Sequence, residues 1–224
     1  MCIETKDHAA GLAWYDRARD WAEEAGDASM AATALSMKAH LAWSVNDARR
    51  CVQMARAARW YDRQVTPGVQ GMAAQMEARG HAVAGDAGDA RRLLDEAQEL
   101  VGRASGHPED EPEWMYFYGE DWFTLQRGMA ELHLGNWHDA AGLLSAGLAA
   151  VPEWYKRDRA WYGACLTSAQ AGTGDAEQAA AVAVAFADDI KAVNSYARAE
   201  LLGAARVLDQ IGARQGEVIR DALR

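Results

Sequence analysis

Two-residue turn signals recur along the chain, and the same spacing of small residues follows each of them. The turns are Asn46-Asp47, Gly85-Asp86, Gly135-Asn136 and Gly174-Asp175, separated by 39, 50 and 39 residues. Small or apolar residues occupy the same three offsets after each turn: Cys51/Ala55/Ala58, Ala90/Leu94/Ala97, Ala140/Leu144/Gly147 and Ala179/Ala183/Phe186. Seven positions before each turn stands a compact residue, namely Ala39, Ala78, Gly128 and Thr167. Such internal periodicity is typical of repeat proteins and constrains the fold before any site is considered.

The offsets of four and three residues place the repeated positions on one face of a helix. Small side chains on that face let a neighbouring helix approach closely, and its bulky side chains fill the gaps. A helix pair of this kind cannot bury its face alone, so pairs are expected to stack into a solenoid. The composition agrees, because half of the 224 residues are apolar and only four are proline. Together these features predict an all-α fold.

The helix boundaries follow from the same patterns. We predict helices at about 8–25, 28–45, 47–61, 67–84, 88–105, 114–134, 137–150, 154–173, 175–192, 194–211 and 214–223. Pro67 and Pro112 suit helix starts, where a missing N–H costs nothing, and Asp7 and Asp27 are candidate N-caps. We expect one repeat domain over 1–224. It would contain a leading half-repeat at 8–25, helix pairs at about 28–61, 67–105, 114–150 and 154–192, and a C-terminal cap at 194–223.

The segment "GRASGHPEDEPEW" at 102–114 interrupts the rhythm and accounts for the 50-residue interval. It carries glycine, proline and several acidic residues, a composition typical of a solvated loop. Binding of a partner is the alternative.

The pattern around Gly135 resembles the tetratricopeptide repeat. The matching features are the compact Gly128, the Gly135-Asn136 turn followed by Trp137, and then Ala140, Leu144 and Pro152. The other three copies are degenerate, and their period exceeds the usual 34 residues. We therefore expect a right-handed α-solenoid of tetratricopeptide-like helix pairs.

Longer segments carry a second resemblance through their order along the chain. They are "KDHAAGLAWYDRARDWAEEAGDASMAATALSMKAHLA", "EARGHAVAGDAGDARRLLDEAQEL", "EPEWMYFYGEDWFTLQRGMAELHLGNWHDAAGLL", "RDRAWYGACLTSAQAGTGDAEQAA" and "NSYARAEL". This order resembles the tetratricopeptide-like C-terminal region of actinobacterial helix-turn-helix transcriptional regulators of the xenobiotic-response-element type. In that family an N-terminal domain binds DNA, and the repeats are taken to sense a ligand or mediate assembly. Here we find no DNA-binding domain, so we expect either a truncated regulator or a standalone relative.

Charge and composition exclude several classes of function. The formal net charge of −10 disfavours direct nucleic-acid binding, which needs a basic face. No apolar run of 18 residues and no signal-peptide core occur, so we expect no membrane span. Cys2, Cys51 and Cys165 are widely spaced and form no CxxC motif. These features predict a reduced, cytoplasmic protein.

A ligand groove is expected along the first helix of each pair, which lines the concave surface of such solenoids. Extrapolation from the Gly135 repeat assigns to it Thr33, Ser36, Met37, His40 and Trp43; Met72, Gln75, Met76 and Arg79; Trp122, Gln126, Met129 and His133; and Trp161, Cys165 and Ser168. Methionine adapts to varied apolar ligands, aromatic residues and arginine serve as interface anchors, and Arg79 is suited to a carboxylate. Ordinary packing of large aromatic rings against small residues remains the alternative interpretation.

Catalytic and metal-binding patterns are weak. His133 and His138 are five residues apart across a turn, and no HExxH or paired CxxC accompanies them, so we expect no metal site. Glu120 and Asp121 are adjacent on a helix and would point about 100° apart, which does not make an acid–base dyad. Cys165 is expected to be a buried, inert thiol. Without GxSxG, P-loop or GxGxxG motifs, we expect neither an enzyme nor a cofactor.

The combined expectation is a ligand- or peptide-responsive binding module of a bacterial transcriptional regulator. It would act through its concave groove, through oligomerisation, or through both. The expected partners are a peptide or small apolar ligand, a DNA-binding domain or regulator protein, and a second copy in a homodimer. Two alternatives stay open, namely a standalone protein-interaction scaffold and, less favoured, a groove repurposed for catalysis on a small molecule.

Overall fold

Helices make up all regular secondary structure in the residues that the computed structural model describes, 7–61, 63–115, 119–193 and 195–224, which confirms the all-α prediction. The α-helices are α1 His8–Ala25, α2 Ala28–Ser44, α3 Ala48–Arg59, α4 Pro67–Val83, α5 Ala87–Ser105, α6 Glu120–His133, α7 Trp137–Ala150, α8 Lys156–Thr173, α9 Ala176–Val193, α10 Ser195–Gln210 and α11 Gln215–Ala222. Two short 3-10 helices, Pro108–Asp110 and Glu113–Met115, lie between α5 and α6.

The predicted turns each end one helix and begin the next. Their first residues have a left-handed backbone, with φ of 59° at Asn46, 80° at Gly85, 77° at Gly135 and 84° at Gly174. Glycine adopts this conformation without steric cost, and asparagine tolerates it. In three of the four turns the following aspartate caps the next helix by accepting a backbone N–H three residues on, in the pairs Asp47–Arg50, Asp86–Asp89 and Asp175–Gln178. The fourth, Asn136, makes no side-chain capping hydrogen bond.

The two candidate N-caps near the start of the chain are also confirmed. The Asp7 carboxylate accepts the Ala10 N–H at 3.0 Å, and the Asp27 carboxylate accepts the Met30 N–H at 2.9 Å. Each of these bonds satisfies a donor that the first turn of a helix leaves without an intrahelical partner.

The chain forms two compact units, residues 1–123 and residues 124–224. In the first unit α1 packs on α2, and α4 packs on α2, α3 and α5. In the second unit α8 packs on α7, α9 and α10, while α11 packs on α9 and α10. Within each unit, the first helix of one pair therefore contacts both helices of the pair before it: α4 contacts α2 and α3, and α10 contacts α8 and α9.

The repeated offsets mark the buried face of the second helix in each pair. All twelve positions are buried except Phe186, which is half-buried with its ring against Gly163. Between α6 and α7, Leu144 packs over Gly128, and Leu125 packs over Gly147. A Cβ at Gly128 would lie 2.8 Å from Leu144 Cγ, and one at Gly147 would lie 2.7 Å from Leu125 Cγ. The small residues therefore permit helix contact, as the spacing predicts.

Alanine at Gly147 is expected to destabilise the second unit, whereas alanine at Gly142 on the same helix is expected to stabilise it. Both changes gain about 1 kcal/mol of helix propensity, but nothing lies within 4 Å of a Cβ at Gly142. Overpacking against Leu125 costs about 1–3 kcal/mol. Urea unfolding followed by circular dichroism measures the difference, and equal stability of the two variants would contradict close packing at Gly147.

The start of α6 differs from the predicted boundary. The prediction of a helix from 114 is wrong, because α6 begins at Glu120 and Glu113–Met115 forms a separate 3-10 helix. The Met115 side chain is buried with residues of α2 and α4. This anchor holds residues 113–115 against another part of the first unit.

Candidate ligand-binding surface

The predicted groove residues of the first two pairs lie on two helices that contact each other, α2 and α4. On α2, Met37 and His40 are half-buried and Trp43 is buried. On α4, the predicted residues are all buried: Met72, Gln75, Met76 and Arg79. The structure therefore brings these residues to one helix contact and leaves little of the α4 set exposed.

Four of these side chains form a group that we call the Trp43–Arg79 cluster, consisting of His40, Trp43, Met76 and Arg79. The Arg79 guanidinium carbon lies 4.7 Å from the centre of the Trp43 ring, a cation–π geometry. The His40 ring meets the same indole edge-on at 5.4 Å. Arg79 Nη1 is 4.0 Å from Met76 Sδ. The cluster joins two successive repeats, because His40 and Trp43 belong to α2 and the other two belong to α4.

A negatively charged side chain on α4, Glu77, faces α3. Glu77 Oε1 accepts a hydrogen bond from Arg56 Nε at 2.7 Å, and Glu77 Oε2 accepts one from Arg59 Nη1 at 2.7 Å. Arg59 also donates to Glu96 on α5 at 2.5 Å. Only 5% of the Glu77 side chain is exposed, so its charge depends on the two arginines. The sequence did not lead us to predict this network, although the spacing of Arg56 and Arg59 places both on one face of α3.

The thiol of Cys51 lies beside the same helices and is buried. Its Sγ donates to the Met76 carbonyl oxygen at 3.3 Å. Burial raises the pKa of Cys51 to about 12, while the nearby Arg79 lowers it to a smaller extent. The thiolate is therefore scarce at neutral pH, and nucleophilic chemistry is not expected from this residue.

Trp122 belongs to the first unit, and the remaining predicted groove residues belong to the second. Trp122 is half-buried and meets the Phe123 ring edge-on at 5.7 Å. In the second unit Met129 and Cys165 are buried, Trp161 is half-buried and His133 is exposed. These positions do not present a uniformly exposed face.

Two polar groove residues of the second unit have polar partners in their own unit. The buried Gln126 donates through Nε2 to the Tyr162 hydroxyl at 2.7 Å. Ser168 donates to Glu200 on α10 at 2.6 Å. Buried amides of this kind are normally hydrogen-bonded, so Gln126 has a structural role in the second unit.

The segment 102–114, which we expected to be a solvated loop, is exposed in one part and packed against helices in another. Residues 105–110 are exposed. The following residues 111–115, which we call the strap, contact α2 and α4 through Glu111, Trp114 and Met115. No local pattern signals these contacts, because their partners lie 43 or more residues away along the chain.

Two groups of His and carboxylate side chains within the described residues place ligand atoms within 4.8 Å of one another: His81/Asp86/Asp89 and His107/Glu109/Asp110. In the first group, Asp86 caps α5 and accepts a hydrogen-bond contact from His81 at 3.1 Å. Asp89 pairs with Arg92 at 2.7 Å. The second group is fully exposed. Ion pairing and helix capping account for the arrangement of the first group.

A cleft of about 780 Å³ opens between α3, α4 and α5. Its polar lining includes Arg59, Gln70, Glu96 and Arg103. None of the predicted groove residues lines it, and its walls carry charges of both signs.

No protein family model matches the chain, and no curated protein is similar to it at a significant level. The resemblance to helix-turn-helix regulators therefore stays a prediction from the sequence. Among the described residues, no helix combines the length and the apolar character needed to cross a bilayer.

Proposed function

We propose that the chain is a ligand- or peptide-responsive binding module of a bacterial transcriptional regulator and acts in the cytoplasm. In this proposal its helix pairs form a right-handed, tetratricopeptide-like solenoid. The α2–α4 contact is its recognition surface in the first unit. The regulatory context comes from the order of the sequence segments. The choice of surface comes from the Trp43–Arg79 cluster.

The observation that carries the proposal is the Arg79 guanidinium, whose carbon lies 4.7 Å from the centre of the Trp43 ring, between two helix pairs. The guanidinium carries its N–H donors in a planar fork, and this fork matches a carboxylate. The neighbouring Met76 and His40 supply an adaptable apolar contact and a polar ring. A peptide carboxylate beside an apolar side chain fits this combination.

The burial of the cluster suggests how binding would be transmitted. Arg79 is 7% exposed and Trp43 is 8% exposed. A ligand that engages the guanidinium therefore has to change the contact between α2 and α4. Binding would then favour one stacking of the helix pairs over another, and this shift would alter dimerisation or contact with a DNA-binding domain.

Selection of peptides from a random dodecapeptide library against the immobilised protein tests the proposal. We expect enrichment of peptides that combine a carboxylate with apolar side chains. Arg79→Lys should bind an enriched peptide at least about tenfold more weakly, because lysine lacks the bidentate fork. Fluorescence polarisation of the labelled peptide measures the affinity, and native mass spectrometry of the purified protein reports any retained molecule and the oligomeric state.

Arg92→Lys on α5 is the matched control, since Arg92 is an exposed arginine paired with Asp89. It should leave the affinity unchanged. The proposal would be wrong if selection enriched no peptide and the purified protein retained no molecule. Equal binding by wild type and Arg79→Lys would refute the role of the cluster.

A further inference from the structure

The N-terminus of α4 receives its cap from a distant part of the chain. Thr66 precedes the helix but makes no capping hydrogen bond of its own. Instead the Glu111 carboxylate accepts the Gly68 N–H at 2.8 Å and the Thr66 hydroxyl at 2.5 Å. A carboxylate is favoured there by the free N–H groups and by the helix dipole.

Gly68 makes room for this carboxylate. A Cβ at Gly68 would crowd the Glu111 carboxylate, whose carbon would lie 2.8 Å away. The carboxylate is therefore held by one backbone N–H and one hydroxyl, in the space above a glycine.

The strap has two further anchors. The Trp114 indole N–H donates to Thr33 Oγ1 on α2 at 3.3 Å. The Met115 side chain is 5% exposed and lies in a cluster with Ala32 and Leu35 of α2 and Val69 and Met72 of α4. The strap thus has the pattern Glu-x-x-Trp-Met. Its glutamate binds at the helix N-terminus, its tryptophan donates to a hydroxyl, and its methionine packs among apolar side chains.

The strap lies on the same two helices as the Trp43–Arg79 cluster. Thr33 and Trp43 are ten residues apart on α2, which is about 15 Å along the helix. Residues 105–110 are exposed, and Glu113 within the strap is exposed as well. Three side chains therefore attach the strap, and an exposed segment precedes it.

We infer that the strap is an internal ligand of the α2–α4 surface, and that the external ligand is an acidic peptide of the same Glu-x-x-Trp-Met chemistry that binds by displacing it. This inference rests on the proposed function and names its ligand class. A segment tethered by a short linker has an effective concentration of the order of 1 mM. Competition with the strap therefore lowers the apparent affinity of an external peptide, itself about 0.1 mM, by about tenfold.

A labelled peptide with the sequence of residues 108–115, PEDEPEWM, tests the inference by fluorescence polarisation. The proteins are the full chain and the full-chain variant Glu111→Gln with Met115→Ala, which loses two of the three anchors. We expect the variant to bind the peptide about tenfold more tightly than wild type does. Equal affinity for both proteins, or no binding to the variant at 1 mM peptide, would overturn the inference.

Two glycine substitutions in the variant Glu111→Gln with Met115→Ala, which we call the released variant, give a matched control. Gly68→Ala should weaken peptide binding, because its Cβ displaces the carboxylate from the Gly68 N–H. Gly88→Ala lies at the same second position of α5 and meets only ordinary contact at 3.9 Å, so it should leave binding unchanged. Equal binding by both glycine variants would overturn the carboxylate site.

Circular dichroism checks that each variant keeps its helices. If the double variant unfolds, Glu111→Gln alone makes the same comparison and must bind the peptide more tightly than wild type.

Failure of this inference can be told apart from failure of the proposed function. If a library-selected peptide depends on Arg79 for binding but PEDEPEWM does not bind the released variant, only the inference about the strap is overturned. If PEDEPEWM binds the released variant and this binding requires Gly68, the inference about the strap is supported. If, in addition, no peptide is selected and no molecule is retained, the proposed role of Arg79 in ligand binding is overturned.

Discussion

Leu144→Ala is expected to lower the free energy of unfolding of the second unit by about 2–5 kcal/mol, because it removes a fully buried leucine at a helix contact. The Leu144 side chain lies directly over Gly128, with its Cγ 2.8 Å from the position of a Cβ there. Removing it leaves a cavity between α6 and α7. Urea unfolding followed by circular dichroism measures the loss.

The pairing of Leu144 with Gly128 gives this prediction a sharper form. Gly128→Ala alone should be destabilising, because its new methyl group clashes with Leu144. In the Leu144→Ala background the same change should cost less, since the methyl group enters the vacated space and alanine favours the helix by about 1 kcal/mol. The Leu144 backbone nitrogen, 3.1 Å from the Cβ position, still crowds the methyl group. Such a reduction in cost is a coupling between neighbours. Additive effects would show that the two residues do not fill the same space.

Glu77→Ala is expected to destabilise the first unit by about 2–3 kcal/mol, because it removes two charge-assisted hydrogen bonds from a buried carboxylate. Arg59 would keep Glu96 as a partner, and Arg56 is more than half exposed, so neither cation is left both buried and unpaired.

Glu96→Ala removes a carboxylate from the same Arg59, but the Glu96 side chain is 38% exposed. We expect that variant to lose less than about 1 kcal/mol.

Chemical denaturation of both glutamate variants in parallel gives their free energies of unfolding. The difference separates the contribution of the buried ion pair from that of the more exposed one. A loss at Glu77 no larger than that at Glu96 would show that the two ion pairs contribute alike. In that case the burial of Glu77 would carry no weight in the stability of the first unit.

The turns and caps could be predicted because each depends on residues that are close in sequence. Asp47 and Asp175 cap helices through N–H groups three residues away. The left-handed turn residues before them need only their own backbone freedom. Helix positions were therefore largely predictable, and the small-residue offsets correctly identified the buried faces.

The candidate site was only partly predictable. The spacing of Trp43 and Arg79 identified two residues that meet at the α2–α4 contact, but it did not indicate that both would be buried. His133 was assigned to the same kind of position by extrapolation and is exposed. Periodicity reports the direction of a side chain around its own helix, whereas exposure depends on which other elements cover that face.

By itself, the sequence determined the helices, their caps and the faces that pack, because these features follow from local hydrogen bonding and from side-chain size at a fixed spacing. Only the tertiary structure decided which partners those faces meet. It brought Glu111 to the N-terminus of α4 across 43 residues and Glu77 to Arg56 and Arg59 across a helix boundary. Such pairs form because a buried carboxylate or helix end must find a hydrogen-bond partner, and that partner is selected by proximity in the folded chain.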